Sequence, residues 1–220
     1  MTDRLIRRHS RSTVAAHALL AATMLALAAT GLMIDANASS WFVAALGGHD
    51  RLVSWHRWIG IAATAALAAT VVIAPGNTMR LVRHAARFRR ADAAWVRSAL
   101  RAVVRPRVFR LGFHDGHFDP VQRVVFIVMG ASLFLLAATG VAISVAPRDM
   151  AALVGVSIRV HNTAGWVFIA AALVHAVAGS GVLPTHRGAA RAMIDGQVRT
   201  DTAARLWPAW AERRNPPAPR

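Results

Sequence analysis

HNTAGWVFIAAALVH, residues 161–175, is an almost wholly apolar segment that begins and ends with histidine. An α-helix turns about 100° and rises about 1.5 Å per residue. Fourteen residues therefore bring His175 to within roughly 40° of the direction of His161 and about 21 Å further along the helix. Because the hydrocarbon core of a bilayer is about 30 Å thick, one membrane helix would hold two imidazoles on one face, one towards each side of the membrane.

The composition favours a membrane protein. Of the 220 residues, 55% are hydrophobic, which is more than ordinary soluble domains contain. The absence of cysteine excludes disulfides, zinc–thiolate sites, iron–sulfur clusters with cysteine ligands and covalently attached c-type haem. The net charge of +16 could indicate nucleic-acid binding, but long uncharged stretches separate the basic blocks. We therefore expect no nucleic-acid partner and interpret the charge as membrane topology.

Four apolar runs are each long enough to cross a bilayer as a helix, for which about twenty residues suffice. The runs cover residues 14–34, 52–74, 121–146 and 160–183. They predict an all-α, integral membrane four-helix bundle formed by residues 1–220 as a single domain. A loop over residues 77–120 and a tail over residues 184–220 would lie outside the membrane.

The arginines predict how the helices are oriented. The N-terminus, the 77–120 loop and the tail together carry 21 of the 26 arginines. By the positive-inside rule, both termini and this loop are expected in the cytoplasm of a bacterium, with the protein in its inner membrane. Four tryptophans fall near the opposite interface, as in an aromatic belt: Trp41, Trp55, Trp58 and Trp166.

A competing interpretation concerns residues 1–38, which end in Ala36-Asn37-Ala38 and resemble a signal peptide with its cleavage site. The apolar run is longer than a typical signal core. Three remaining spans would also leave the arginines of the tail on the unexpected side. We therefore expect the first span to be retained.

Four of the ten histidines lie within the predicted spans, where ionisable residues are rare and are functional candidates. Their depths define two pairs. His17 and His175 form an inner pair, and His56 and His161 form an outer pair. Two imidazoles that face each other across a bundle are the axial ligands of a b-type haem. Zinc is the alternative, although it normally requires four donors. In a third interpretation, each histidine merely hydrogen-bonds a neighbouring helix.

Three of these histidines are followed four residues later by glycine: Gly60, Gly165 and Gly179. Position i+4 lies on the same helix face, one turn along. A small residue there leaves room for the edge of a porphyrin, although close helix packing is an alternative reason for glycine. The pattern favours two haem b groups, and no catalytic residue is assigned. The protein would take electrons from one partner and pass them to another.

The sequence resembles the membrane cytochrome b (gamma) subunit of respiratory formate dehydrogenases over nearly its whole length. The likeness lies in HRWIG at His56, in residues 161–175, in AATG late in the first and third spans, and in two stretches outside the spans. Those stretches are DGHFDPVQR, residues 115–123, and AMIDGQVRTDTAARLWPAWAE, residues 192–212. The resemblance implies that His17, His56, His161 and His175 ligate two haems. It also implies an iron–sulfur (beta) subunit as electron donor, a molybdenum or tungsten catalytic subunit behind it, and a membrane quinone as acceptor.

The resemblance further implies a quinone site near the inner pair, formed by His175, Asp119, Val121 and Gln122. Asp119 and Val121 stand where the family has asparagine and glycine, and Leu206-Trp207 stands where it tends to have two histidines. An alternative role for Asp119-Pro120 is a helix N-cap followed by proline at the first helical position.

Two other functional classes stay open at this point. The first is a b-type cytochrome that serves a hydrogenase, a sulfur-compound reductase or a superoxide-consuming oxidase, or that acts alone. The second is a haem-free transporter or structural membrane protein.

Overall fold

The computed structural model describes residues 4–36, 41–104, 118–147 and 149–214. Its elements in chain order are β1 (Leu5–Arg7), α1 (Arg11–Asp35), α2 (Trp41–Ala45), α3 (His49–Ile73), α4 (Pro75–Ala86), α5 (Arg90–Val104), α6 (Pro120–Val145), α7 (Ala151–Ser180), a 3-10 turn (Pro184–His186), α8 (Arg191–Ile194), β2 (Gln197–Arg199), α9 (Thr200–Leu206) and α10 (Pro208–Arg214). The predicted cleavage motif and the stretch 115–123 fall partly outside the described residues.

Four of these helices, α1, α3, α6 and α7, are long and apolar enough to cross a membrane. They match the four predicted spans and confirm an all-α membrane helical bundle. The fourth differs in its bounds, because α7 begins at Ala151 rather than near residue 160. The added turns contain Ser157 and Arg159, so hydropathy alone could not include them. The same helix ends at Ser180, before Gly181, whose φ of +77° is a left-handed conformation typical of the residue after a helix.

Polar side chains fix the starts of three helices. The Ser10 hydroxyl accepts a hydrogen bond from the Thr13 N–H at 3.1 Å, which caps α1. The Asp92 carboxylate accepts one from the Arg89 N–H at 2.7 Å, at the start of α5. Asp119 accepts one from the Gln122 N–H at 2.9 Å, directly before Pro120 opens α6. The alternative role of Asp119-Pro120 as a cap and first helical residue is thus confirmed.

The described chain divides into two compact units, and three of the long helices contribute residues to both. The first unit comprises residues 1–18, 80–127 and 172–220, and the second comprises residues 19–79 and 128–171. The prediction of a single di-haem domain stays a prediction.

In the first unit, the N-terminus pairs with the tail. Strands β1 and β2 are antiparallel, with Ile6 opposite Val198. Val198 is fully buried and packs with four further residues of the tail, Ala192, Ala203, Leu206 and Trp207. These apolar contacts form a small core outside the long helices.

The first unit also contains a buried ion pair at the start of α6. The guanidinium of Arg123 lies 2.9 Å from the Asp92 carboxylate, and both side chains are almost fully buried. Arg123 also donates to the carbonyls of Phe118 and Arg87. These bonds tie the end of α4, the start of α5 and the start of α6 together.

In the second unit, the long helices expose much of their apolar surface, as a protein in lipid must. The four tryptophans of the predicted aromatic belt belong to this unit, and all are exposed. Hydroxyl side chains on these helices donate to backbone carbonyls one turn earlier, as Thr70 does to Ala66 at 2.8 Å. Such bonds satisfy the hydroxyl group where water is absent.

Candidate haem site

The outer pair comes together in the second unit. His56 lies on α3 and His161 on α7, and their ring centroids are 6.1 Å apart with the ring planes nearly perpendicular. Both side chains are half-buried. The structure therefore brings together the two histidines that the sequence paired by depth.

Each histidine of the outer pair has a threonine at its Nδ1 atom. The Thr30 hydroxyl lies 2.8 Å from Nδ1 of His56, and the Thr139 hydroxyl lies 2.9 Å from Nδ1 of His161. Thr30 is on α1 and Thr139 is on α6, so each threonine approaches from a neighbouring helix. The two contacts repeat the same arrangement on both sides of the pair.

The direction of these hydrogen bonds follows from the second hydrogen bond that each threonine hydroxyl makes. The Thr30 hydroxyl donates to the Ala26 carbonyl at 2.7 Å, and the Thr139 hydroxyl donates to the Leu135 carbonyl at 2.6 Å. A hydroxyl has one hydrogen, so each oxygen accepts from the imidazole. Nδ1 of His56 and of His161 consequently carries the proton, and Nε2 keeps its lone pair free to bind a metal.

A glycine follows each threonine and touches the same imidazole. A Cβ atom on Gly31 would lie 3.2 Å from Cε1 of His56, and one on Gly140 would lie 3.4 Å from Cε1 of His161. The rings thus rest against helix backbone, at a distance that leaves little or no room for a side chain. Threonine and glycine together fix the position of each imidazole.

The inner pair comes together in the first unit. His17 on α1 and His175 on α7 have ring centroids 6.1 Å apart and ring planes inclined by 47°. His17 is half-buried, whereas His175 is exposed. Within the described part of the chain, no hydrogen bond to the ring nitrogens of either histidine accompanies this contact. The inner pair therefore lacks the threonine arrangement of the outer pair.

The predicted small residues beside the histidines do not serve tight helix packing. A Cβ atom on Gly60 would meet Leu27 at 3.9 Å, and one on Gly165 would meet Leu136 at 4.0 Å, which are ordinary contacts. A Cβ on Gly179 would meet no described residue within 4 Å. These distances are compatible with the predicted room for a porphyrin edge, and that role stays a prediction.

The separation of the two rings in each pair fits a six-coordinate haem. An imidazole nitrogen lies about 2 Å from a first-row metal ion. Two rings on opposite sides of one ion, each with a radius of roughly 1 Å, then have centroids about 6 Å apart, close to the 6.1 Å of both pairs. Among the described residues, no group of three or more histidine, cysteine or acidic side chains could hold a metal ion. Two donors suit haem iron better than zinc, which normally takes four protein ligands at a closed site.

Comparison with known proteins agrees with this geometry. A family model described as prokaryotic cytochrome b561 matches residues 8–196. The chain belongs to the prokaryotic cytochrome b561 family. It is a multi-pass membrane protein that carries electrons by means of b haem. The comparison with curated proteins gave no match. The number of haems and the four ligands stay predictions, supported by the two histidine pairs.

Asp119, Val121 and Gln122 of the predicted quinone site lie at the start of α6, in the same unit as His175. Asp119 is buried, and one of its carboxylate oxygens caps the helix. Its charge also acts on His186, in the turn after α7. Burial lowers the pKa of His186, Asp119 opposes this change, and Arg205 adds to it. The capping role is thus structural, and the quinone role stays a prediction.

Leu206 and Trp207, at positions where the resemblance predicts two histidines, are buried in the core of the tail. The guanidinium of Arg8 lies 4.0 Å from the ring centre of Trp207 and 4.6 Å from that of Trp210. Burial there lowers the pKa of Arg8 to about 10. Burial also lowers the pKa of His9, with the charges of Arg8 and His17 adding to the effect. Leu206, Trp207 and the contact of Arg8 with the tryptophan rings thus stabilise the fold of the tail.

Sequence reasoning missed the residues that contact the outer pair, namely Thr30, Gly31, Thr139 and Gly140. A signal for them was present, because AATG occurs twice, at residues 28–31 and 137–140. In the sequence alone, this repeat indicates only a family likeness. Whether its threonine and glycine contact a histidine depends on which helices are neighbours, and the sequence does not specify that.

Proposed function

We propose that this chain is the membrane-anchoring di-haem cytochrome b subunit of a formate dehydrogenase-type complex. The observation that carries the proposal is the pair of bis-histidine arrangements, each with a 6.1 Å separation of ring centroids. In this proposal His17 and His175 hold one haem b, and His56 and His161 hold the other. Bound haem would supply one-electron transfer, so the chain would connect an electron donor on one side of the membrane with an acceptor on the other.

The protein's own residues prepare the two sites differently. Thr30 and Thr139 keep Nε2 of the outer pair unprotonated and aimed away from the helices that hold Nδ1. The inner pair has more freedom, because the described residues give its rings no such bonds. Gly60, Gly165 and Gly179 would leave room beside three of the ligands. Both pairs lie on helices that are apolar enough to cross a membrane, and such surroundings would favour non-covalent haem binding.

The proposed donor is a periplasmic iron–sulfur (beta) subunit, which a molybdenum or tungsten catalytic subunit would supply with electrons. The arginine distribution supports this orientation, because it predicts that the outer pair faces the periplasm. The tail supports an assembled complex. Residues 192–212 resemble the formate dehydrogenase pattern, and they form an ordered structure against β1 rather than a loose extension.

The proposed acceptor is a membrane quinone on the cytoplasmic side, near His175, Asp119, Val121 and Gln122. A buried carboxyl group could hydrogen-bond a quinone oxygen or relay a proton. Support comes from the shared unit of His175 and Asp119, and from the charge interaction of Asp119 with His186. Protons taken from the cytoplasm would let quinone reduction contribute to a proton-motive force.

The test uses affinity-tagged chain isolated from its native membranes in mild detergent. The proposal expects two co-purifying subunits, one with iron–sulfur clusters and one with molybdenum or tungsten, and reduction of the b haems on addition of formate. His56→Ala should stop reduction of the remaining haem by formate, whereas dithionite should still reduce it. A complex without these subunits, or haems that formate leaves oxidised, would contradict the proposal.

A second candidate is a b-type cytochrome that serves another partner, such as a hydrogenase or a sulfur-compound reductase, or that acts alone. The observation that favours it is the burial of Leu206 and Trp207 in the core of the tail, at positions where the formate dehydrogenase resemblance implies two histidines. Under this candidate, the same purification would bring down a different catalytic subunit or none, and the haems would respond to hydrogen or a sulfur compound rather than formate.

A further inference from the structure

We infer that Thr30 and Thr139 are paired positioning residues, whose hydroxyl groups lower the reduction potential of the outer haem. The inference rests on the proposed function, in which His56 and His161 are the ligands of that haem. Neither threonine touches the metal site itself. Each acts through the Nδ1 atom of one ligand.

The contacts show how the hydroxyl groups act. Each threonine donates its single hydrogen to a carbonyl of its own helix, Thr30 to Ala26 at 2.7 Å and Thr139 to Leu135 at 2.6 Å. Each oxygen therefore accepts the Nδ1 proton of a histidine.

A hydrogen bond from Nδ1 to an acceptor makes the imidazole a more basic ligand. A more basic ligand stabilises ferric iron, which carries the higher charge, more than ferrous iron. The hydrogen bonds to Thr30 and Thr139 should therefore shift the equilibrium of the outer haem towards the oxidised form. The inner pair lacks such bonds among the described residues, so its potential should not respond to these threonines. The reduction potential of the outer haem should therefore be lower with the two threonine hydroxyl groups than without them.

Glycines beside the threonines support a built site rather than a chance contact. Gly31 and Gly140 each follow a threonine and each approach Cε1 of the same imidazole that the threonine bonds. The same two-residue arrangement thus occurs on α1 against α3 and on α6 against α7. Chance contacts of a threonine with a histidine would not repeat with the glycine in the same place.

The experiment replaces the hydroxyl with a methyl group of similar size, in Thr30→Val and Thr139→Val, and measures each haem's midpoint potential by spectroscopic redox titration. Loss of a residue that hydrogen-bonds a metal ligand typically costs 10–100-fold in metal affinity or activity. We expect a shift of about tenfold in the ferric–ferrous equilibrium, which is about 59 mV upward for a one-electron couple. Thr30→Ser and Thr139→Ser retain the hydroxyl and should return the potential towards that of the unaltered protein.

Two further threonines serve as matched controls. Thr23, on the same helix as Thr30, donates to the Leu19 carbonyl, and Thr70 on α3 donates to the Ala66 carbonyl. Within the described part of the chain, neither threonine has a hydrogen bond to a histidine. Thr23→Val and Thr70→Val should leave both potentials unchanged. If the valine variant loses the outer haem altogether while the serine variant keeps it, the positioning role is supported in its strongest form.

Three results would overturn the inference: unchanged potentials in Thr30→Val and Thr139→Val, an equal shift in Thr23→Val, or loss of haem in the serine and valine variants alike. A failure of the proposed function has a different signature. In that case, His56→Ala and His161→Ala would retain full haem content, and the threonine variants would then have no outer haem on which to act.

Discussion

A single added methyl group at Gly31 should weaken the outer haem site. A Cβ atom there would lie 3.2 Å from Cε1 of His56, closer than the 3.4 Å at which ordinary contacts begin. The ring cannot simply move away, because Nδ1 is bound to Thr30 at 2.8 Å. Pushing on Cε1 while Nδ1 is held turns the ring about that bond. The turn displaces Nε2, the atom that would bind iron.

The expected loss of haem differs among alanine substitutions at Gly31, Gly140 and Gly130. Overpacking of this kind typically costs about 1–3 kcal/mol. If this cost falls on the haem-bound state, Gly31→Ala should weaken retention of the outer haem by roughly 5- to 140-fold. Gly140→Ala should have a smaller effect, since its Cβ would lie 3.4 Å from His161. Gly130→Ala, on the same helix as Gly140, should have none, because its Cβ would meet nothing within 4 Å in the described part of the chain.

Haem transfer to excess apomyoglobin measures this effect directly, because b haem is held without a covalent bond. The rate and extent of transfer are followed by absorbance for the unaltered protein and the three variants. The reasoning predicts the order Gly31→Ala, Gly140→Ala and Gly130→Ala, from most to least haem lost. A Gly130→Ala variant that loses as much haem as Gly31→Ala would refute it, as would an unaffected Gly31→Ala.

Three further perturbations test other parts of the structure. Trp207→Ala should destabilise the tail by about 3–5 kcal/mol, because the ring is buried, and limited trypsin digestion at the tail arginines should then become much faster. Arg123→Met leaves Asp92 buried without its cation and should lower the free energy of unfolding by about 3–5 kcal/mol. The double variant Arg123→Met/Asp92→Leu should recover part of this loss, because it removes the unpaired charge. Thermal unfolding measures both. Because the folded pKa values of His9 and His186 lie below 6.5, the unfolded chain binds more protons, so the unfolding temperature should fall as the pH drops below about 6.5. Substituting both histidines by glutamine should flatten that dependence, and an unfolding temperature that rises on acidification would contradict the assignment.

The four long helices could be predicted because hydropathy and length suffice to define a membrane span. The histidine pairs could be predicted because helix geometry fixes depth from residue number, as the fourteen residues from His161 to His175 show. The start of α7 could not be predicted in this way, because the helix continues towards the N-terminus through the polar residues Ser157 and Arg159. Helix formation continues there for reasons of backbone hydrogen bonding, which hydropathy does not measure.

The fold of the tail and the threonine and glycine contacts of the outer pair could not be predicted from the sequence. The partner of Val198 is Ile6, about 190 residues away, and no local pattern specifies such a pairing. The family resemblance implies histidines at positions 206 and 207, whereas the structure shows that Leu206 and Trp207 are core residues. Thr30 looked like an ordinary helix threonine, because its role depends on the approach of His56 from another helix.

The most direct test of the central claim is the haem content of single histidine variants, measured as the pyridine complex together with dithionite-reduced minus oxidised spectra. The unaltered protein should contain two b haems per chain. His17→Ala and His175→Ala should each lose the same haem, and His56→Ala and His161→Ala should each lose the other. His49→Ala, a substitution at the first residue of α3, should lose neither. One haem per chain, or a haem content that these four substitutions leave unchanged, would contradict the assignment of the two pairs.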